Sequence, residues 1–177
     1  KNSCRSAYKG IGWGLSFNYA VSRNLSYKTN TPYSTMTPYV LEAIIKYQNE
    51  TGNNIYQEII KGIYDFFAHA LVIMEENDKY IALSYTPKKD RIVINASSYA
   101  MYSFALLLKH IDKGEIQKVK VKIKKLYNFI KTNQKNDGSW LYSPNTHSFI
   151  DCFHSCIVLK NLIKANRIFN LEKCDQV

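Results

Sequence analysis

The chain has 177 residues, 46% of them apolar, and a formal net charge of +10. This length and composition suit a single domain with its own hydrophobic core, and no apolar run approaches the roughly 18 residues that a membrane span needs. The four cysteines, with no signal-type apolar run in view, predict reduced thiols and a cytoplasmic protein without a transmembrane segment.

The N-terminal stretch at 11–34 is rich in loop-forming residues, and a short helix is predicted at 16–22. Trp13 lies between two glycines, and Phe17 follows closely. Because glycine lets the backbone approach a ligand, Trp13 and Phe17 are candidate substrate-binding residues. Packing of these aromatic side chains explains the pattern equally well.

Five amphipathic helices are predicted by apolar residues at i, i+3 and i+4. The segments 40–47, 103–110 and 158–165 share this pattern, each with a lysine near its end, and predict equivalent helices at 35–49, 95–111 and 149–166. A partner helix is predicted after each of the first two, at 54–75 and 115–134. Gly52 and Gly114 lie in the short turns between the helices of each pair.

The repeated order of loop, helix and helix predicts an all-α fold of stacked antiparallel helical hairpins. We expect hairpin repeats at about 11–75, 80–134 and 138–177, within one domain covering 1–177 or within the C-terminal fragment of a larger domain. Residues 79–86 are predicted to form only a short extended piece. The predicted helix N-caps are Thr35 or Thr37, Asn95 and Ser148.

Nine lysines lie between Lys109 and Lys135, mostly within the predicted helix at 115–134. The simplest interpretation is a solvated outer face of that helix. A basic surface that contacts a membrane or another anionic partner is the alternative. No nucleic-acid-binding motif is visible, so nucleic acid is not an expected partner.

Long loops precede the equivalent helices, and they carry Tyr, Trp, Asn and Asp. In a stack of antiparallel hairpins, these loops and the N-termini of the helices that follow them lie at one end. The sequence therefore predicts one polar, aromatic-lined mouth, formed by Trp13, Tyr85, Asn95, Trp140, Tyr142, Asp151 and His154.

Asp151 and His154 are three residues apart at a predicted helix start, and such a pair can act as a general base and its orienting group. The alternative is an Asp that favours the helix N-terminus and a His hydrogen-bonded in the core.

Trp140 and Tyr142 would form a sugar-stacking platform in an extended loop, or else close the end of the core. Asp137 either contacts substrate or shapes a turn.

One zinc ion cannot easily take Cys152, His154 and Cys156 together, because position 154 points away from the helix face that 152 and 156 share. A disulfide between residues four apart on a helix is not expected either. A zinc site that combines His154 with distant residues is the alternative, and no metal or other cofactor is predicted.

The run from Gln134 to Asp137-Gly138-Ser139-Trp140 resembles a repeat element of α/α-toroid proteins such as terpene cyclases. A closer resemblance, spanning nearly the whole chain, is to the C-terminal part of the α/α-toroid proteins of bacterial and archaeal surface-polysaccharide biosynthesis clusters, which often carry a mistaken aminolevulinate-dehydratase label. The matching elements are Gly12-Trp13-Gly14 with Phe17, Thr31-Pro32-Tyr33-Ser34, Ser84-Tyr85-Thr86-Pro87 with Asn95, Asp137-Gly138-Ser139-Trp140-Leu141-Tyr142, and Ile150-Asp151-Cys152-Phe153-His154. The chain departs from the family pattern at Asn18 and Ile94, where an acid and a histidine are expected.

The resemblance implies a partial toroid that binds or processes a surface glycan or its lipid-linked precursor, by lyase, epimerase or hydrolase chemistry. An oligosaccharide is then the expected partner, and an oligomer is compatible with the pattern. Two alternatives stay open: a non-catalytic helical-repeat interaction module, and an isoprenoid-type toroid enzyme, which the lack of an Asp-rich run disfavours. Asp151, His154 and Tyr85 are the candidate catalytic residues, and Trp13, Phe17, Asn95, Asp137, Trp140 and Tyr142 the candidate substrate-binding residues.

Overall fold

The computed structural model describes residues 3–4, 8–145, 147–172 and 174. Five α-helices lie in this part of the chain, close to the five predicted positions. They are α1 (Thr37–Thr51), α2 (Gln57–Asp65), α3 (Ile94–Leu107), α4 (Lys113–Thr132) and α5 (Cys152–Ile168). A π-helical turn, Phe66–Ala70, follows α2 directly. The apolar periodicity therefore located the helices, with ends that differ by a few residues.

The predicted all-α class is wrong, because the described chain also contains seven short strands in small antiparallel sheets. The protein is a mixed α/β protein. The strands are β1 (Ser3–Cys4), β2 (Gly12–Trp13), β3 (Tyr19–Ser22), β4 (Leu25–Tyr27), β5 (Ile73–Glu76), β6 (Ile81–Thr86) and β7 (Lys88–Ile92). They pair as β1–β2, β3–β4 and β5–β6–β7.

The three-stranded sheet interrupts the predicted stack of hairpins between α2 and α3. The predicted helix at 54–75 ends early, because the π-helical turn stops at Ala70 and Leu71 adopts an extended conformation. The chain then forms β5, and β6 becomes the central strand with most of its residues buried. Thr86 pairs with Lys88 across a tight turn, so β7 returns antiparallel to β6. A β-hairpin thus carries Tyr85 and Arg91 on neighbouring strands.

The predicted short helix at 16–22 is also wrong. Strands β3 and β4 form a hairpin there, with Tyr19 opposite Tyr27 and Ala20 opposite Ser26. Tyr27 is 1% exposed, so the hairpin is held against the rest of the molecule by its last residue. Burial of the Tyr27 side chain favours the hairpin over a helix. The apolar pattern of a seven-residue segment cannot reveal such burial.

Helix α3 lies at the centre of the core. All but one of its residues are buried, and it packs against α1, α4, α5 and strand β6. Large side chains such as Phe104 and Met101 are fully enclosed. The amide Nδ2 of Asn161, on α5, donates to the Ser98 hydroxyl at 3.0 Å, which satisfies a polar group inside the α3–α5 contact. The start of α5 is consequently held in place relative to the start of α3.

The predicted helix N-caps differ from those observed. Thr37 is the first residue of α1, and its hydroxyl donates to the Tyr33 carbonyl at 2.9 Å. Asn95 lies inside α3. Helix α5 starts three residues later than predicted, with Asp151 as its side-chain cap in place of Ser148. Asp151 is the cap because its carboxylate accepts a hydrogen bond from the backbone N–H of His154, three residues on.

Candidate functional site

The candidate site is a corner where the β6–β7 hairpin, the loop before α5 and the first turn of α5 meet. Tyr142 lies at its centre. The backbone N–H of Ile94 donates to the Tyr142 carbonyl at 3.1 Å, and the Tyr142 N–H donates to the Phe149 carbonyl at 2.8 Å. These two bonds tie the loop to the start of α3 on one side and to the segment before α5 on the other.

The Asp151–His154 pair predicted from the sequence is formed. One carboxylate oxygen of Asp151 accepts from the His154 backbone N–H at 2.7 Å, and the other lies 2.6 Å from His154 Nδ1. The bond from the His154 backbone is the first cause that lowers the pKa of Asp151 below its usual range. Both side chains are partly exposed, at 34% for Asp151 and 25% for His154.

The carboxylate therefore has two roles at once: it caps α5 and it holds the imidazole ring. With Nδ1 engaged, the His154 tautomer is set by the carboxylate and Nε2 is the nitrogen left for a ligand. No hydrogen-bond partner of Nε2 occurs among the residues that the structure describes. This geometry is the one that a general base or acid needs.

Three aromatic rings surround His154. Tyr142 and Phe149 are stacked, with ring centres 4.9 Å apart and planes 11° apart. The His154 ring centre lies 4.7 Å from that of Tyr142 and 5.1 Å from that of Phe153, in edge-to-face arrangements. Phe149 is 54% and Phe153 69% exposed, which is unusual for side chains of this size. An exposed aromatic surface thus lies directly beside the acid–base pair.

Tyr85 reaches the same corner through Arg91. The guanidinium carbon of Arg91 lies 4.3 Å from the centre of the Tyr85 ring and 5.8 Å from that of Tyr142. The Thr35 hydroxyl donates to the Tyr85 hydroxyl at 3.2 Å, so Tyr85 also contacts the segment before α1. Burial raises the pKa of Tyr142, and the nearby Arg91 acts in the opposite direction.

Trp140 lies apart from this corner. It is 5% exposed, and its indole N–H donates to the Ile130 carbonyl at 2.9 Å. The predicted platform of Trp140 and Tyr142 is therefore not formed: Trp140 packs in the core, and Tyr142 stacks instead on Phe149. The indole reaches inward because a buried carbonyl near the end of α4 offers its polar N–H a partner.

The other predicted substrate-binding residues have local roles. Asp137 accepts from the backbone N–H and the hydroxyl of Ser139, which shapes the turn and lowers its pKa. Asn95 is 6% exposed, and its buried side-chain oxygen has no hydrogen-bond partner among the residues that the structure describes. Trp13 is partly buried against the core, and its backbone N–H donates to the Thr37 hydroxyl at 3.0 Å. Phe17 is 57% exposed and has no ring contact with the corner among the described residues.

Three side chains of the corner were not predicted from the sequence. Phe149 and Phe153 flank Asp151 within four residues along the chain, and two large apolar residues next to a helix cap were a usable signal. The sequence around Arg91 contains no comparable signal. It lies in the charged strand segment Lys-Lys-Asp-Arg-Ile, and only the pairing of β6 with β7 brings it to Tyr85.

The cysteines and the lysine-rich helix contribute little to this corner. Cys152 and Cys156 are free, with their sulfur atoms 3.5 Å apart, and no cluster of three or more potential metal ligands occurs in the described part of the chain. On α4, Lys118 pairs with Glu115 at 2.8 Å and Lys125 with Glu76 at 3.0 Å. Several lysines of the outer face thus already have local partners.

No protein-family model matches this chain, and no curated protein matches it either. Across the described residues, none of the helices combines the length and the apolar character that crossing a membrane would require. What the fold itself defines is a mixed α/β protein with a buried central helix and an aromatic corner at the start of its last helix.

Proposed function

We propose that the corner around His154 binds the sugar units of a glycan and that Asp151 and His154 form an acid–base pair acting on the bound sugar. The observation that carries this proposal is the position of the pair. A partly exposed His whose Nδ1 is held at 2.6 Å by a carboxylate lies beside two strongly exposed phenylalanines.

Exposed rings suit a sugar because the apolar C–H face of a pyranose stacks on an aromatic face, while its hydroxyl groups need hydrogen-bond partners nearby. Phe149 has one face against Tyr142 and leaves its other face for a ligand. The Phe153 ring lies edge-to-face with the His154 ring, 5.1 Å from it between ring centres. The pair of phenylalanines supplies the stacking surface, and His154 Nε2 supplies a polar contact beside it.

The chemistry that this geometry supports is proton transfer. Asp151 orients the imidazole through Nδ1, so Nε2 can take a proton from the sugar or return one. Elimination, epimerisation and hydrolysis of a glycan all include such a step. The proposal therefore names a proton-transfer role for His154 and an orienting role for Asp151.

The test is a binding titration of neutral and acidic oligosaccharides by ligand-observed NMR. Phe153→Ala should weaken binding about three- to tenfold, since an aromatic contact contributes about 0.5–1.5 kcal/mol. Tyr47→Ala is the matched control, because Tyr47 is 41% exposed and has an aromatic neighbour, Tyr56, far from the corner. Circular dichroism verifies that each variant is folded.

The proposal fails if the folded wild-type protein binds no oligosaccharide, or if Tyr47→Ala weakens binding as much as Phe153→Ala does. In the first case the non-catalytic interaction module becomes the better hypothesis. Its distinguishing test is substitution of exposed α4 lysines such as Lys120 and Lys124, which should then impair partner binding while Asp151→Asn leaves it unchanged.

A further inference from the structure

Arg91 is a cation without an anionic partner in the described structure. Its guanidinium lies over the Tyr85 ring at 4.3 Å and within 6 Å of the Tyr27 and Tyr142 ring centres, at 5.7 and 5.8 Å. Among the described residues, no carboxylate forms an ion pair with it, and its buried Nε has no hydrogen-bond partner. The neutral Tyr27 hydroxyl is a further contact of the guanidinium and supplies no negative charge. A buried donor left unpaired is costly, so its presence needs an explanation.

The nearest carboxylate in sequence, Asp90, is fully occupied by other donors. One of its oxygens accepts from the Tyr85 and Arg91 backbone N–H groups at 3.2 and 2.7 Å. The other accepts from the Tyr27 and Thr86 hydroxyls at 2.8 and 2.7 Å. Asp90 therefore stabilises the β6–β7 turn, and its bonding capacity is used there and not on the guanidinium.

The open side of Arg91 faces a cleft of about 400 Å³. Arg91 lines it together with Asp90, Tyr142, Ser143 and Asn145, and apolar side chains form the rest of its wall. Tyr142 belongs both to this cleft and to the aromatic surround of His154, whose ring centre is 4.7 Å from the Tyr142 ring centre. A ligand unit in the cleft would thus be adjacent to a unit stacked at the acid–base pair.

We propose that Arg91 determines the specificity of this site by binding the carboxylate of an acidic sugar, such as a uronic-acid unit, in the cleft beside Tyr142. The planar guanidinium matches a carboxylate in two parallel hydrogen bonds, and the Tyr85 ring, 4.3 Å from the guanidinium carbon, helps to hold it in position. A singly charged group fits best, because Asp90 lines the same cleft and would repel a dianion more strongly than a monoanion. This inference rests on the proposed sugar-binding function and adds the class of sugar.

The test compares three ligands that differ in one group: D-glucuronate, its neutral amide D-glucuronamide, and D-glucose, each titrated by ligand-observed NMR. Wild type should bind glucuronate about tenfold more tightly than glucuronamide, as expected for hydrogen bonds to a charged group. Arg91→Met keeps the length of the stem and removes the charge, so it should abolish this preference. Arg91→Lys keeps the charge without the planar fork and should retain only part of it.

Arg167→Met is the control, since Arg167 is exposed on α5 and should leave the preference unchanged. Equal wild-type affinity for glucuronate and glucuronamide overturns the role of Arg91 and leaves the sugar site standing. Failure of all three sugars to bind overturns this inference, whereas the proposed function is overturned only if the oligosaccharides also fail to bind. If Arg91→Met does not fold, the wild-type affinities for glucuronate and its amide still test the inference, because equal affinities would overturn it.

Discussion

Asp151 illustrates how one side chain serves both the fold and the candidate site. Its carboxylate accepts from the His154 backbone N–H, which caps α5, and holds the His154 ring through Nδ1. An asparagine at this position keeps an acceptor for the cap, whereas an alanine removes it. The two substitutions therefore separate the structural role from the chemical one.

We predict that Asp151→Ala lowers the free energy of unfolding by about 1 kcal/mol, the usual effect of losing a helix cap, while Asp151→Asn retains most of that stability at neutral pH. Both variants should lose the acid–base function. Urea unfolding followed by circular dichroism measures the first effect. Equal destabilisation by Asn and Ala would show that capping is not what the side chain contributes.

The pH dependence of this contribution has a definite sign. The pKa of Asp151 is lowered in the folded protein, so its charged form is favoured by folding. Its contribution is present above the ordinary Asp pKa of about 4 and is lost as pH falls through the lower folded value. The stability difference between wild type and Asp151→Asn should therefore shrink under acid conditions, and a difference independent of pH would contradict this.

At the scale of elements, Trp140 anchors the loop before α5 to the end of α4. The indole is buried and donates to the Ile130 carbonyl, and an antiparallel bridge pairs Gln134 with Trp140. This contact with the end of α4 fixes the loop that carries Tyr142. Trp140 therefore acts on the candidate site by positioning its loop.

We predict that Trp140→Phe lowers the free energy of unfolding by about 1–3 kcal/mol, because the Ile130 carbonyl loses its buried donor. If sugar binds at the corner, the affinity of the Trp140→Phe variant for sugar should differ little from that of wild type, since Trp140 does not line that surface. Thermal unfolding and the NMR titration measure the two effects. A large loss of sugar affinity at unchanged stability would instead support Trp140 as a stacking residue.

The helices and the sheet differ in how far sequence pattern could locate them. Each helix has a local apolar period, and all five were found near their predicted positions. Strands β5 and β7 have only four and five residues, and their pairing partner is β6. Strand pairing depends on contacts between separate segments, so the periodicity of a single segment cannot reveal it.

At the scale of the whole molecule, buried tyrosines connect elements that are distant in the chain. Tyr33 packs edge-on against Tyr27 of β4 and lies 5.4 Å, ring centre to ring centre, from Tyr85 of β6. Burial is the first cause that raises the pKa of Tyr33 to about 12. Burial also raises the pKa of Tyr64 to about 12, with a hydrogen bond to Glu115 as a further cause.

We predict that the protein loses stability in alkali, because a tyrosine with a raised pKa resists ionisation in the folded state and ionises readily once unfolded. The contribution is complete below the ordinary tyrosine pKa of about 10 and is lost as pH rises toward the folded values. Ultraviolet absorbance of tyrosinate should show a fraction titrating well above pH 10 in the folded protein and none in urea. Identical titrations in both states would contradict the buried network.

The sequence by itself determined the features that depend on near neighbours in the chain. These are the positions of the helices and the Asp151–His154 pair, since residues three apart in the first turn of a helix must be neighbours. Only the tertiary structure decided the mixed α/β class, the burial of Trp140 and the meeting of Tyr85, Arg91 and Tyr142. Those features require strand pairing and packing between separate elements, and the free energy of such contacts is set by the whole fold and not by any local segment.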